Sequence, residues 1–282
     1  MPLYTTDAIV LKSINLGEAD KIVTFFTRRY GKIQGVAKGV RRIKSRFGAS
    51  LEPLTYINLI YFGKEHTNLY KINTSDILEP FNKLKEDFDK LKKSLFICDI
   101  VNSTLKELDV NLKIFELFLN TLKIINKAKE TEKLDILLDI FSLRFLSASG
   151  FTPKLNNCIY CNKIPPPPPL LKGDKGDYRI GFHISKGGVV CKECLNGSED
   201  VVRINSGIIN FMKKAISMNI LNLDRLSLPY KMERELHKII CDYINIHIDR
   251  KLKSEHLRAF GVRAFEVWSC FLILFYLQAC LL

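Results

Sequence analysis

Apolar and polar residues alternate in five short runs within the first 80 residues of the chain. Alternation with a period of two places the apolar side chains on one face of a β-strand, so each run predicts a half-buried strand. The runs cover residues 8–11, 22–26, 33–36, 56–62 and 69–72. Glycines lie in or beside the gaps, where the chain must reverse its direction. Five strands joined by turns predict a small β-barrel of the OB type over residues 1–80.

From residue 82 the apolar residues recur at steps of three and four, which is typical of one face of an α-helix. Leu84, Phe88, Leu91, Leu95 and Cys98 form the first such series. Further helices are predicted over residues 112–126, over 134–145 with Gly150 as a C-terminal stop, and over 208–218 and 236–243. The predicted fold is therefore α+β and multidomain, with a helical domain in two parts, residues 81–154 and 201–253.

Residues 155–200 lose the helical pattern and are predicted to form a separate zinc module. Two Cys-x-x-Cys pairs lie in this segment, Cys158 with Cys161 and Cys191 with Cys194. Each pair can place two thiolates on one metal ion, and four thiolates complete a tetrahedral zinc site. Because sulfur would fill all four positions, Zn²⁺ would be structural and would activate no water. A redox-active dithiol is the alternative for such pairs.

Other polar and cysteine residues near these pairs receive plainer interpretations. His183 precedes Cys191 by eight residues, but four cysteines suffice for the metal, so we interpret it as a surface or turn histidine. Five consecutive prolines at 165–169 are interpreted as a stiff, extended spacer. The four cysteines without paired spacing are interpreted as small hydrophobic side chains; they are Cys98, Cys241, Cys270 and Cys280.

The 282-residue chain is strongly basic, because 43 Lys and Arg against 30 Asp and Glu give a formal net charge of +13. This charge favours a polyanionic partner such as nucleic acid or an anionic membrane surface. The first residues carry no charged and apolar segments of the kind that make a signal peptide, which predicts a cytoplasmic protein. In that reducing compartment cysteines are expected to be thiols or metal ligands.

The positive charge is concentrated in one run, because no acidic residue lies between Asp20 and Glu52 while nine basic residues do. Its densest part, residues 38–46, is too polar for a strand and predicts a barrel loop that contacts a phosphate backbone. The candidate nucleic-acid-binding residues are Arg28, Arg29, Lys32, Lys38, Arg41, Arg42, Lys44 and Arg46. The aromatic residues of the run could stack on bases, although barrel aromatics more often belong to the core; they are Phe25, Phe26, Tyr30 and Phe47.

Motifs of the common catalytic classes are absent from the sequence. It contains no P-loop, no serine nucleophile elbow and no group of carboxylates with the spacing of a nuclease. We therefore expect a binding protein and not an enzyme. A zinc hydrolase would need an open coordination position, which a four-sulfur site does not offer.

The sequence matches a known family in several segments, at residues 16–21, 39–42, 51–53, 146–153 and 187–188. Together with the order of barrel, helices and four-cysteine module, these segments resemble RecO, the family of bacterial recombination mediators. The resemblance covers about residues 1–255. It implies a protein that binds single- and double-stranded DNA, anneals complementary strands and helps to load the RecA recombinase onto strands coated by single-stranded-DNA-binding protein (SSB).

The resemblance also implies partners and site residues. RecR and the acidic C-terminal tail of SSB would be partners, with RecF as a further candidate, and the protein would be associated with the nucleoid. DNA contacts would fall on Lys38, Arg41, Arg42, Lys44 and Arg46, and the four paired cysteines would hold zinc. The alternative function left open is an RNA-binding OB and zinc-ribbon protein of translation or RNA metabolism.

The last segment, residues 254–282, departs from the family because it has no lysine and ends in an apolar run. Its uncharged part, residues 267–282, has 16 residues, fewer than the roughly 20 that span a bilayer. Three interpretations stay open: a packed terminal helix, a weak membrane anchor, and a tail read out of frame. A membrane role is the least favoured of them.

Overall fold

A computed structural model describes residues 2–64, 69–129, 133–165, 180–195, 200–219, 222 and 226–248. These residues divide into two compact units, one within residues 2–129 and one within residues 133–248. Each unit is described by itself.

The first unit begins with a closed β-barrel of five strands. The strands are β1 (Leu3–Leu16), β2 (Asp20–Thr27), β3 (Gly31–Ala37), β4 (Tyr56–Phe62) and β5 (Tyr70–Glu79). Their order around the barrel is β1-β2-β3-β5-β4, and β1 closes it by pairing antiparallel with β4. The predicted OB-type barrel is thereby confirmed, although β1 and β5 are longer than their apolar runs because pairing continues through polar positions.

The barrel core contains the apolar positions that the alternating pattern marks. Val10, Phe25, Ile33 and Leu59 are buried in one cluster. At Gly35, where β3 pairs in parallel with β5, a Cβ atom would lie 2.3 Å from Ile72 Cδ1. A side chain at position 35 would displace Ile72 from its place in the barrel core, so glycine suits the close approach of these two strands.

Three helices complete the first unit: α1 (Asn82–Glu86), α2 (Phe88–Thr104) and α3 (Leu112–Lys127). The predicted single helical face across residues 84–98 is wrong in one respect, since Phe88 is 52% exposed. Asp87 has extended backbone geometry and caps α2 by accepting a hydrogen bond from Lys90 N. A new helix therefore starts at Phe88, and its buried face includes Ile97 and Val101.

In its described residues, the second unit contains three α-helices, a 3-10 helix and a small sheet. Its elements are α4 (Leu134–Ala148), β6 (Ile180–His183), β7 (Gly188–Val190), a 3-10 helix (Lys192–Cys194), β8 (Val201–Ile204), α5 (Ser206–Ser217) and α6 (Tyr230–Ile248). The antiparallel sheet has the order β7-β6-β8, and α4 packs against both α5 and α6. The helical part and the cysteine module of the expected fold class are confirmed, whereas the five-segment division of the chain stays a prediction.

Some predicted features lie outside the described residues. These are Pro166 to Pro169, Cys270, Cys280 and the whole segment 254–282. Within the described ranges, none of the helices combines the length and the apolarity that crossing a bilayer requires.

Candidate nucleic-acid interface and metal centre

The connection between β3 and β4, residues 38–55, carries the densest positive charge and is fixed to the barrel at its start. Gly39 N donates a hydrogen bond of 2.8 Å to Asp20 Oδ1. Arg41 N donates to Ala19 O at 3.0 Å, and its Nη1 donates to Gly17 O at 3.1 Å. The basic segment is therefore held against the β1–β2 turn.

Two consecutive turns shape the segment beyond this point. Arg42 N donates to Gly39 O at 3.2 Å, and Ser45 N donates to Arg42 O at 3.0 Å. Phe47 and Leu51 then enter the barrel core, where both are almost fully buried. We call residues 38–46 the basic loop; it is anchored on both sides by the barrel.

Five of the eight candidate residues come together on the basic loop, and all five are exposed: Lys38, Arg41, Arg42, Lys44 and Arg46. Arg28 and Arg29 are also exposed, in the turn after β2. Nine residues of chain thus carry five positive charges on the surface, which is the arrangement that attracts a phosphodiester chain.

Arg28 and Lys32 make contacts that bind the barrel to the helices of the same unit. Arg28 Nη2 lies 2.5 Å from Glu116 Oε1 of α3, and its Nη1 lies 3.8 Å from Asp7 Oδ2. Lys32 Nζ donates to Asn102 O of α2 at 2.7 Å. These two side chains therefore hold the barrel against α3 and α2, and the ion pairs neutralise part of the charge of Arg28.

The aromatic side chains of the run belong to the core. Phe25, Phe26 and Phe47 are buried, and the Tyr30 ring packs edge-on against Tyr4 at 5.3 Å between ring centroids. The three phenylalanines are therefore not available for base stacking, in agreement with the more common role of barrel aromatics.

One residue of the basic loop was not singled out by the sequence pattern. Ile43 has a relative exposure of 105% and stands between Arg42 and Lys44. The signal that could have identified it is an isoleucine at the centre of a segment that is otherwise basic or small.

The four paired cysteines form one cluster in the second unit. Their sulfur atoms all lie within 4.8 Å of one another, and Cys161 Sγ is 3.5 Å from Cys191 Sγ. Tetrahedral zinc with Zn–S bonds of about 2.3 Å requires S···S distances of about 3.8 Å. The donor set and its spacing therefore fit a four-thiolate metal site, and small shifts would complete it.

Backbone N–H groups prepare Cys158 for metal binding. We call residues 158–161 and 191–194, which carry the two Cys-x-x-Cys pairs, the first and the second knuckle. Cys191 N donates to Cys158 Sγ at 3.4 Å, so the second knuckle supports the first. Burial raises the pKa of the Cys158 thiol, but hydrogen bonds from the backbone of Cys161, Cys191 and Tyr160 outweigh it and lower the pKa to about 6. The thiolate, which is the form that binds metal, is thereby favoured.

His183 does not belong to the cysteine cluster among the described residues. It is buried in β6, where its Nδ1 accepts a hydrogen bond of 3.4 Å from Lys186 N. The expectation of a surface or turn histidine is wrong about exposure, since His183 is buried, although the residue borders the β6–β7 turn and its carbonyl oxygen accepts a hydrogen bond from Gly187 N.

Two adjacent glycines join the cysteine knuckles to α6. A Cβ atom at Gly187 would lie 2.2 Å from Tyr243 Oη, and one at Gly188 would lie 2.2 Å from Ile159 Cγ2. Tyr243 Oη in turn donates to Phe151 O at 3.0 Å. The β6–β7 turn therefore fits closely between the first knuckle and α6.

The unpaired cysteines have different surroundings. Cys98 is buried and its Sγ donates to Leu11 O at 3.3 Å, in keeping with a small core side chain. Cys241 is half-buried and lies 3.5 Å from His237 Nε2. The core interpretation thus applies to Cys98 better than to Cys241.

A closed five-stranded barrel with a basic loop, a helical part and four clustered cysteines together define a modular barrel protein with a cysteine cluster whose spacing fits a metal ion. Two family models match almost the whole described chain. "Recombination protein O N terminal" matches residues 1–81, and "Recombination protein O C terminal" matches residues 85–256. The chain belongs to the RecO family.

Curated relatives agree with this assignment. The chain is 32% identical over 256 residues to a protein named DNA repair protein RecO from Caldanaerobacter subterraneus subsp. tengcongensis, covering 90% of this chain and 97% of the relative. It is 33% identical over 246 residues to the protein of the same name from Thermodesulfovibrio yellowstonii, covering 86% and 92%. The similarity therefore extends over nearly the full length of these relatives.

Proposed function

We propose that this protein acts in DNA repair and homologous recombination by binding single- and double-stranded DNA and annealing complementary strands. The observation that carries the proposal is the basic loop, which presents five exposed cations within nine residues on an anchored barrel connection. Membership of a family whose relatives are named for DNA repair supports it.

Strand annealing requires no catalytic acid, base or activated water. We therefore propose a binding protein and not an enzyme. Two strands repel each other through their phosphates, and bound cations reduce that repulsion while holding the strands close together. If about four phosphates are neutralised, the affinity for single strands falls with salt at a log-log slope of roughly −2.8.

We assign the DNA contacts first to Lys38, Arg41, Arg42, Lys44 and Arg46, with Arg29 beside them. Arg28 and Lys32 complete the proposed surface, and their contacts with α3 and α2 give them mainly a supporting part. Arg41 both anchors the loop and adds to its positive field.

The four cysteines are proposed to hold Zn²⁺ in a structural role. Zinc bound by four thiolates has a closed coordination sphere and supplies folding energy instead of chemistry. The knuckles would then stabilise the β6–β7 turn that contacts α6.

Family membership alone supports a set of proposed partners. RecR and the C-terminal tail of SSB would bind this protein, RecF is a further candidate, and the assembly would assist the loading of RecA on SSB-coated strands. With these partners, the protein would act in the cytoplasm in association with the nucleoid.

Charge reversal on the basic loop tests the proposed interface. The variant Lys38→Glu, Arg42→Glu and Lys44→Glu leaves the anchoring Arg41 in place. We expect single-strand affinity at low salt to fall at least tenfold and the salt slope to weaken by about 2, since three contacts contribute about 0.7 each. Titration of a fluorescent oligonucleotide over a series of salt concentrations measures both values.

A matched control separates the local field from the net charge. Lys83, Lys106 and Lys113 are exposed in the same unit, and reversing all three changes the total charge equally. Equal losses in the two triple variants would contradict the assignment of the loop. A preference of tenfold or more for RNA over DNA of equal length would instead favour the RNA-binding alternative.

A further inference from the structure

Ile43 is fully exposed in the middle of the basic loop. Its relative exposure is 105%, whereas the next most exposed of the large apolar side chains in the described residues, Ile164, reaches 78%. An isoleucine side chain left in water forgoes the favourable free energy that its burial would provide. A contact made on binding can recover part of this free energy.

The backbone holds Ile43 at the tip of the loop. It is the second residue of the turn that the hydrogen bond from Ser45 N to Arg42 O closes at 3.0 Å. The preceding turn is fixed through Gly39, and the following residues are fixed by Phe47 in the barrel core. Because the loop is already ordered in the free protein, binding costs less conformational entropy.

The charges around Ile43 indicate what it contacts. Arg41, Arg42, Lys44 and Arg46 all lie within three residues of it and are exposed. They draw a phosphodiester chain to the loop, and the apolar faces of that chain are its bases. Because Phe25 and Phe47 are buried, Ile43 is the apolar side chain that the loop presents to a base.

We propose that Ile43 is a nucleobase contact, which inserts against the bases of a bound single strand and partly unstacks them. The inference rests on the proposed DNA-binding function and adds a base subsite to a phosphate-binding surface. Apolar side chains that wedge between bases are a known means of opening stacked nucleic acid. Unstacked bases would then be accessible to a complementary strand.

The test compares an ordinary single-stranded oligodeoxynucleotide with an abasic one of equal length, using wild-type protein and Ile43→Ser. We expect the variant to bind the ordinary strand roughly threefold to tenfold more weakly, since it loses an apolar contact with a base. Binding of the abasic strand should be unchanged. A strand with 2-aminopurine should become brighter with wild-type protein and respond less to the variant, because stacking quenches this base.

Two further variants provide controls. Ile43→Leu keeps an apolar side chain and should retain most of the preference for the ordinary strand. Ile246→Ser changes an isoleucine of α6 that is 49% exposed, and it should behave as wild type.

The outcomes separate this inference from the proposed function. If wild-type protein binds ordinary and abasic strands equally, and Ile43→Ser does the same, the base contact is wrong while the phosphate interface stands. If wild-type protein binds neither strand, the proposed function fails. If Ile43→Ser weakens binding only to vesicles of phosphatidylglycerol, the residue is a lipid contact and the inference is overturned.

Discussion

Backbone conformation and a close contact both favour glycine at position 187. Its φ of +64° favours glycine, and a Cβ atom there would meet Tyr243 Oη at 2.2 Å. Gly48 has a similar φ of +50° but nothing within 4 Å of a Cβ position. Substitutions at Gly187 and Gly48 can therefore distinguish the cost of backbone strain from the cost of steric overlap.

We predict that Gly187→Ala destabilises the protein by about 2–4 kcal/mol, because strain of about 1 kcal/mol adds to overpacking of about 1–3 kcal/mol. Gly48→Ala should cost only about 1 kcal/mol, since it adds strain alone. Urea unfolding of the metal-loaded protein measures both. Equal losses in the two variants would show that the contact with Tyr243 is unimportant.

Individual residues also show why part of the interface could not be predicted. The run of basic residues indicated a nucleic-acid surface, but Glu116 and Asn102, which engage Arg28 and Lys32, lie 88 and 70 residues further along the chain. Such distant partners leave no local signal. The exposure of Ile43 likewise depends on the turn that carries it and not on its neighbours in sequence.

Longer elements were predictable where their pattern is regular. The five barrel strands follow from alternation, and α3, α4, α5 and α6 follow from steps of three and four. The sheet of β6, β7 and β8 was not predicted. Its strands have only three or four residues each, and every residue of β6 and β7 is buried. Strands of that kind show no alternation to detect.

We expect a bound metal ion to order the cysteine module. Its apolar cluster is small, with Val190 buried beside Cys158 and Cys191. We predict that chelation of zinc, or Cys158→Ser, lowers the stability of the second unit and exposes amides of β6 and β7 to hydrogen exchange. Cys241→Ser should retain the metal. Unchanged exchange after complete metal removal would contradict a structural role.

Helices α4 and α6 are joined by a contact between buried Asp139 and half-buried His237. Asp139 Oδ1 lies 2.9 Å from His237 Nδ1, while its Oδ2 is buried without a hydrogen-bond partner. The hydrogen bond with Asp139, followed by that with Cys241, raises the pKa of His237 to about 10. Burial raises the pKa of the Asp139 carboxyl while the hydrogen bond with His237 lowers it, so the ionised form of Asp139 depends on a protonated His237.

This raised pKa predicts a pH-dependent stability. The contribution of His237 is fully present below its unfolded pKa of about 6.5 and is lost as the pH rises through about 10. His237→Gln should therefore be less stable than wild type by about 1–3 kcal/mol at pH 6. The difference should shrink by pH 10, as urea titrations at both values would show. A difference that stays constant with pH would exclude an ionised histidine.

For the whole molecule, the distribution of charge matters more than its total. The net charge is +13, and the five residues of the basic loop contribute five positive charges within residues 38–46. At physiological salt the screening length is about 8 Å, so a strand senses mainly the nearest cations. Phosphate binding and annealing are therefore expected to depend on this loop and not on basic residues elsewhere.

The proposed annealing function can be measured as the rate at which complementary oligonucleotides coated by SSB form a duplex. We predict that wild-type protein accelerates duplex formation at least tenfold at low salt. The variant Lys38→Glu, Arg42→Glu and Lys44→Glu should give little acceleration, while reversal of Lys83, Lys106 and Lys113 should leave most of it. If wild-type protein binds the strands but does not raise the annealing rate, the proposed annealing function is contradicted.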